Sequence, residues 1–240
     1  MALFVDGPIS SIEDLAAQDS QLLDVASTEG IDVTQKMALA QEELGLELET
    51  LVPRLLKAVV VTPALKLWHT FRALDMVYTD AYNSQLNDRY AGKQKQFAAL
   101  ARWAQDRVMV HGVGMAADPI GRAATPAVTA TPGNLADGTY YATMAWVNRE
   151  GAEGASAVPA AETIALSTLV VTPGSAPANA VGWNVYAGNE PDAMTRQNAT
   201  PIAIGQSWVQ PAPMETAGPG PGTGQEPSYL KAVARVLQRG

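Results

Sequence analysis

The stretch GVGMAADPIGRAATP, residues 112–126, divides the chain into two halves with different hydrophobic periods. Upstream of it, apolar residues recur every three to four positions. Downstream they recur every second one. Gly112 and Gly114 offer the backbone freedom that commonly closes a helix, and Asp118, Pro119, Gly121 and Pro126 mark a short boundary. Working outward from here predicts an α+β chain in two parts: a helical domain over residues 1–114 and an antiparallel β-sandwich over residues 115–212.

On the helical side, Ser10 followed by Glu13 has capping-box spacing, and Asp32 followed by Gln35 repeats it. Met37, Ala40, Leu44, Leu48 and Leu51 then recur at helical spacing until Pro53 interrupts. Thr62-Pro63 reads as a cap followed by proline at the first helical position, where its missing N–H costs nothing. The helix it opens carries Leu65, Trp68, Phe71, Leu74, Met76, Val77, Tyr78 and Tyr82 around most of its circumference. That helix belongs at the centre of its domain. A last helix places Tyr90, Phe97, Ala101, Ala104 and Val108 on one stripe.

On the other side, strands are predicted over residues 127–131, 139–148, 157–166, 169–172, 180–187 and 201–209. Trp183, Val185 and Ala187 alternate with Gly182, Asn184 and Tyr186, as a sheet with one buried face requires. Turn residues fall in nearly every gap, and six or seven short strands at this spacing suggest a Greek-key, immunoglobulin-like sandwich of about 85 residues. Residues 213–240 read as a Pro/Gly-rich linker around Gly218-Pro219-Gly220-Pro221-Gly222, followed by a short helix opened by Pro227. That helix groups Leu230, Val233 and Leu237 on one face. At about a dozen residues it needs a surface to dock on.

Composition limits the chemistry. The chain has 240 residues, 47% of them hydrophobic, no cysteine and two histidines. Disulfides, thiolate metal sites and cysteine nucleophiles are excluded. Residues 1–10 lack the pattern of a secretory signal, and no run reaches the ~18 apolar residues of a membrane helix, so the expectation is a protein that starts in a cytoplasm. His69 and His111 lie on different helices, and there is no zinc signature, phosphate-binding glycine loop or Gly-x-Ser-x-Gly elbow. No catalytic site, metal or cofactor is expected, and His69 reads as a packing histidine. A hydrolase built from His69, Asp80 and Asp88 is the rival enzymatic reading. A glycan platform of Tyr140, Tyr141, Trp146, Trp183, Tyr186 and Trp208 is the rival binding reading, against which stands the ordinary use of aromatics to fill a sandwich core.

A net charge of -8 argues against gripping nucleic acid phosphates. The acidity is uneven: residues 1–52 hold eleven acidic and one basic side chain, residues 53–112 four acidic and nine basic. Pairing within the chain is one outcome. Pairing between neighbouring copies is the other.

Three segments, Ala64-Leu65-Lys66-Leu67-Trp68-His69, Tyr78-Thr79-Asp80-Ala81-Tyr82 and Gln85-Leu86-Asn87-Asp88-Arg89-Tyr90 with Lys93, resemble the head-to-tail connector, or adaptor, proteins of tailed bacteriophages. The acidic helical start, from Ile9 to Leu15, Asp24 to Ile31 and Lys36 to Glu43, is similar to the same group. The resemblance covers roughly the first half of the chain. It implies a structural virion protein of the head–tail neck, assembled in the host cytoplasm into a ring, commonly of twelve copies, between the portal and the next tail or neck protein. Double-stranded DNA would pass through the lumen without being held. In such a ring Glu42, Glu43 and Glu47 of one copy are expected to face Arg54, Arg72, Arg89, Lys93 and Arg102 of the next. Tyr229, Leu230, Val233, Val236 and Leu237 of the terminal helix are expected to dock on the portal or an adjacent copy. The appended sandwich, with Gly138-Thr139-Tyr140-Tyr141 and Asn184-Val185-Tyr186, resembles immunoglobulin-like or fibronectin-like modules of phage structural proteins. The alternative assignment is a tail-tip or fibre-associated protein whose sandwich binds host glycans.

Overall fold

A computed structural model describes residues 1–85, 88–211 and 213–231, and the chain is α+β. Two compact units are present: one comprises residues 7–115 and the segment from Pro227, the other residues 1–6 and 116–226.

The first unit is helical. Its elements are α1 (Ile12–Gln18), α2 (Leu22–Glu29), α3 (Val33–Leu51), a 3-10 turn (Leu56–Ala58), α4 (Pro63–Gln85) and α5 (Ala91–His111). The first cap lies one residue later than Ser10 and Glu13 predicted: Ser11 and Asp14 form the reciprocal box, with each side chain accepting the other's backbone N–H. Ser10 is buried instead. Asp32 caps α3 through the Gln35 N–H, and the Thr62 hydroxyl accepts the Leu65 N–H at the start of α4. Helix α4 packs against α1, α2, α3 and α5, the central place its all-round apolar surface demands. Phe97, Ala101, Ala104 and Val108 are the stripe that α5 buries.

After α5 the chain runs into β1 (Val113–Met115), which pairs antiparallel with β9 (Ser228–Leu230) in the register Val113↔Leu230, Gly114↔Tyr229, Met115↔Ser228. Gly112 closes α5 at φ 99°, and a Cβ there would lie 2.8 Å from the Leu230 carbonyl oxygen. At Gly114 a Cβ would meet Thr62 Cγ2 at 2.6 Å and Pro227 Cβ at 2.9 Å. Both glycines therefore let a second strand lie against this segment. The terminal helix predicted from Pro227 is corrected over these residues. Ser228–Leu230 is a strand because β1 offers unpaired backbone groups and an isolated short helix offers no comparable gain. Val233, Val236 and Leu237 lie outside the described residues.

The second unit has β2 (Ala127–Pro132), β3 (Gly138–Asn148), β4 (Ala160–Ile164), β5 (Ser167–Thr172), β6 (Ala180–Gly188), β7 (Thr195–Arg196) and β8 (Trp208–Val209). All pairings are antiparallel, in two sheets of order β4-β3-β6-β7 and β2-β5-β8. One core receives side chains from both: Ala142, Met144 and Trp146 of β3, Trp183 and Val185 of β6, Leu169 and Val171 of β5, and Trp208 of β8. The predicted strand over residues 201–209 is reduced to β8 and a single bridge from Ile202 to Trp183.

The Pro/Gly-rich segment predicted as a linker packs on this unit as a strap. The Pro219 carbonyl accepts the Arg196 N–H, the Gly222 carbonyl accepts the Ser156 N–H, and Thr223 bridges Ala155. Gln225 donates to the Asp118 carbonyl and accepts the Ile120 N–H, while its own carbonyl accepts from the Met1 ammonium group. Prolines and glycines without apolar side chains build little core, but their carbonyls pair as well as any others.

Candidate functional site

Of the charged residues expected at a subunit interface, Glu42, Glu43 and Glu47 lie on α3, Arg72 on α4, and Lys93 and Arg102 on α5, where the core stripes leave polar flanks, while Arg54 and Arg89 lie in the turns after α3 and before α5. Four of them, Glu43, Glu47, Arg72 and Arg102, converge on a groove of about 210 Å³ whose lining includes Trp68 and Asp75. Arg72 reaches Glu43 with two nitrogens, at 2.9 and 3.0 Å, and Asp75 with a third. Asp75 is buried, and its Oδ1 has no hydrogen-bond partner among the described residues. Arg89 and Lys93 line a second groove, of about 310 Å³, with Asp24, Tyr78 and Tyr90. Glu42 and Arg54 line neither groove. Arg54 has φ 66°, and its N–H donates to Glu49 at 2.8 Å.

The two charge blocks pair within the chain. Lys93 and Tyr78 both donate to Asp19 Oδ2, Lys66 meets Asp14 at 2.8 Å, Lys36 meets Asp80, and Arg72 meets Glu43. Burial alone would raise the Asp19 carboxyl, but Lys93, Tyr78 and the Gln21 N–H hold it below the ordinary aspartate value. Tyr78 is pushed well above the usual phenol range, by burial first and then by Asp19. Its ring stacks on Phe97 with centroids 5.4 Å apart. Tyr90 donates to Glu29 at 2.9 Å. These contacts tie α1 and α2 to α4 and α5.

His69 Nε2 is 2.9 Å from the Met37 carbonyl, an acceptor, so it carries the proton. Nδ1 is then left to accept from the Ser10 hydroxyl at 2.6 Å. A hydroxyl on an oriented imidazole is the arrangement of a nucleophile and its base. Here both groups are buried, and the orienting partner is a carbonyl, which stabilises an imidazolium less than a carboxylate does. Burial also lowers the His69 pKa. The pair holds the segment before α1 against α3 and α4. Asp80 goes to Lys36 and Asp88 to a turn, so the hydrolase reading finds its three residues in separate roles.

In the β unit, Tyr140, Trp146, Trp183, Tyr186 and Trp208 are buried and Tyr141 is partly covered. That leaves no row of exposed rings for a glycan platform. On the face of β3/β6 opposite the tryptophans is a polar network. Glu153 accepts from the Tyr186 hydroxyl at 2.6 Å and from Asn184, whose amide oxygen accepts from Arg196 and Asn198 at 2.8 Å each. Burial, then the bond to Glu153, raises the Tyr186 pKa. A Cβ on Gly222 would come within 2.7 Å of Glu153 Oε2, so the strap closes directly over this network. Its residues are far apart in sequence, and Glu153 reads locally as a turn residue between Asn148 and Gly154; nothing local marks it.

Among the described residues no group of His, Asp and Glu could hold a metal ion, and no helix is long and apolar enough to cross a membrane. Comparison with protein-family models, curated proteins and solved structures finds no match to this chain.

Proposed function

We propose that this chain is a non-enzymatic structural protein of a tailed-phage virion. Its helical unit assembles into a closed, dodecameric ring that joins the portal to the tail or neck, and double-stranded DNA passes through the lumen. The β unit is an immunoglobulin-like or fibronectin-like module appended to that ring. The observation that carries the reading is where the connector-like residues fall. Trp68, His69 and Tyr78 are buried on α4, and Tyr90 and Lys93 open α5. They make the contacts that bind α1, α2 and α3 to the central helix pair. The resemblance thus concentrates in the residues that shape the bundle, as expected where the shape itself is the function. Leu86 and Asn87 of the third segment lie outside the described residues. A chain of net charge -8 also suits a channel that must let the duplex slide.

The test is electron microscopy of the purified chain mixed with portal particles. A ring of this protein on the portal's tail-facing end is expected. A chain bound elsewhere, or turnover of any substrate by the purified protein, overturns the reading.

A further inference from the structure

Ion pairing inside the helical unit consumes much of its charge but leaves two outer helix faces. On α3, the residues opposite the buried stripe are Gln35, Leu39, Glu42, Leu46 and Glu49, spaced four, three, four and three apart. Leu39 is 41% and Leu46 72% exposed. Leu39 and Leu46 thus stand seven residues apart on the face away from the core, with Glu42 between them and Glu49 beyond, the spacing of a short second seam. On α5 the residues opposite the buried stripe include Ala99, Trp103 and Val110, with Trp103 48% and Val110 55% exposed. Lys95, Arg102 and Arg107 flank them, against one acid, Asp106. One face is apolar with an acidic border. The other is apolar with a mostly basic border.

We infer that these faces are the two halves of a heterologous contact, with the outer face of α3 on one copy docking against the outer face of α5 on the next. The inference rests on the ring reading and deepens it by naming the surfaces. Charge complementarity selects a second copy as the occupant: like faces would set Glu42 and Glu49 against themselves, or Arg102 and Arg107 against themselves, whereas unlike faces pair them. A contact between two different patches of one molecule is what a cyclic assembly with more than two members requires. Trp103 at the middle of the α5 face is the residue type that most often dominates such contacts. Of the residues expected at a subunit interface, this contact keeps Glu42 and Arg102 and adds Glu49 and Arg107, while Glu43, Arg72 and Lys93 form ion pairs within their own chain.

The chain lacks cysteine, so cross-linking reads the contact cleanly. Full-length Leu46→Cys and Trp103→Cys proteins are oxidised separately and mixed. A disulfide-linked dimer that forms in the mixture and is lost in either protein alone supports the inference. Glu42→Lys/Glu49→Lys and Arg102→Glu/Arg107→Glu variants, checked for helix content, should each lose self-association in sedimentation velocity. Mixing the two should restore association with the variants alternating, because both faces of each are then opposite in charge to the faces they meet on the other. A protein that associates without the mixed cross-link and without this rescue overturns the α3–α5 contact while leaving ring assembly standing. A protein that stays monomeric alone and with portal overturns both.

Discussion

Strand β6 alternates Trp183, Val185 and Ala187 with Gly182, Asn184 and Tyr186, and both sets are buried. Helix α3 buries Met37, Ala40, Leu44 and Leu48 but leaves Leu39 and Leu46 in solvent. Each element offers two faces. The second face of the sheet is covered by the chain's own Pro/Gly strap, which lies over the mutually bonded Glu153, Asn184 and Arg196 and accepts the Arg196 backbone N–H at Pro219, whereas nothing in the described chain covers the outer faces of α3 and α5. A covered face is finished and serves stability. An uncovered face with apolar residues at regular spacing remains available to a partner.

Five measurements break or sharpen this contrast. Replacing Trp183 by Ala should cost about 3–5 kcal/mol in denaturant unfolding, since it removes the one fully buried tryptophan of the core shared by both sheets among the described residues; a loss under about 1 kcal/mol would show that the sheets do not depend on this core. Lys93→Ala leaves the Asp19 carboxylate, 3% exposed, without its cation, while Lys93 itself is about one-third exposed. The expected loss is therefore about 2 kcal/mol, below the range for fully buried pairs. Gly222→Ala should destabilise the β unit by about 1 kcal/mol through overpacking against Glu153 and the Gly154 carbonyl. Faster proteolysis within residues 213–226 would report the loosened strap.

A pH series tests the helical side. The folded His69 pKa is lowered, so the unfolded chain binds more protons as pH falls through its unfolded value of about 6.5. Stability should then decline as the pH drops from 7 toward 5, and His69→Gln should flatten that slope. Asp14 and Asp19, with lowered pKa values, lose their contribution only at lower pH, as each becomes protonated. The smallest effect belongs to the uncovered face: Trp103→Ala should change stability by less than about 0.5 kcal/mol, although the same change should weaken self-association. A large stability loss there would mean that Trp103 is already in use within its own chain.

Much of the fold was legible in local spacing. The helix over α4, its Thr62-Pro63 start, the stripe of α5 and the strands β2, β3, β5 and β6 follow from periods of 3.6 and 2, which neighbouring residues set among themselves. The candidate site was legible by residue type but not by partner. Sequence supplied an acidic block and a basic block, and only folding decided that Glu43 takes Arg72 and Asp19 takes Lys93, leaving Glu42, Glu49, Arg102 and Arg107 on the outer faces. The ends of the chain were the least legible. Residues 1–6 and 213–226 join the β unit, and Ser228–Leu230 returns to pair with β1. Periodicity is a property of residues close in sequence, so the sequence alone determines which elements form and which stripe each can bury. Whether the opposite stripe is also covered, and by what, depends on surfaces brought together from distant parts of the chain. That second decision belongs to the tertiary structure.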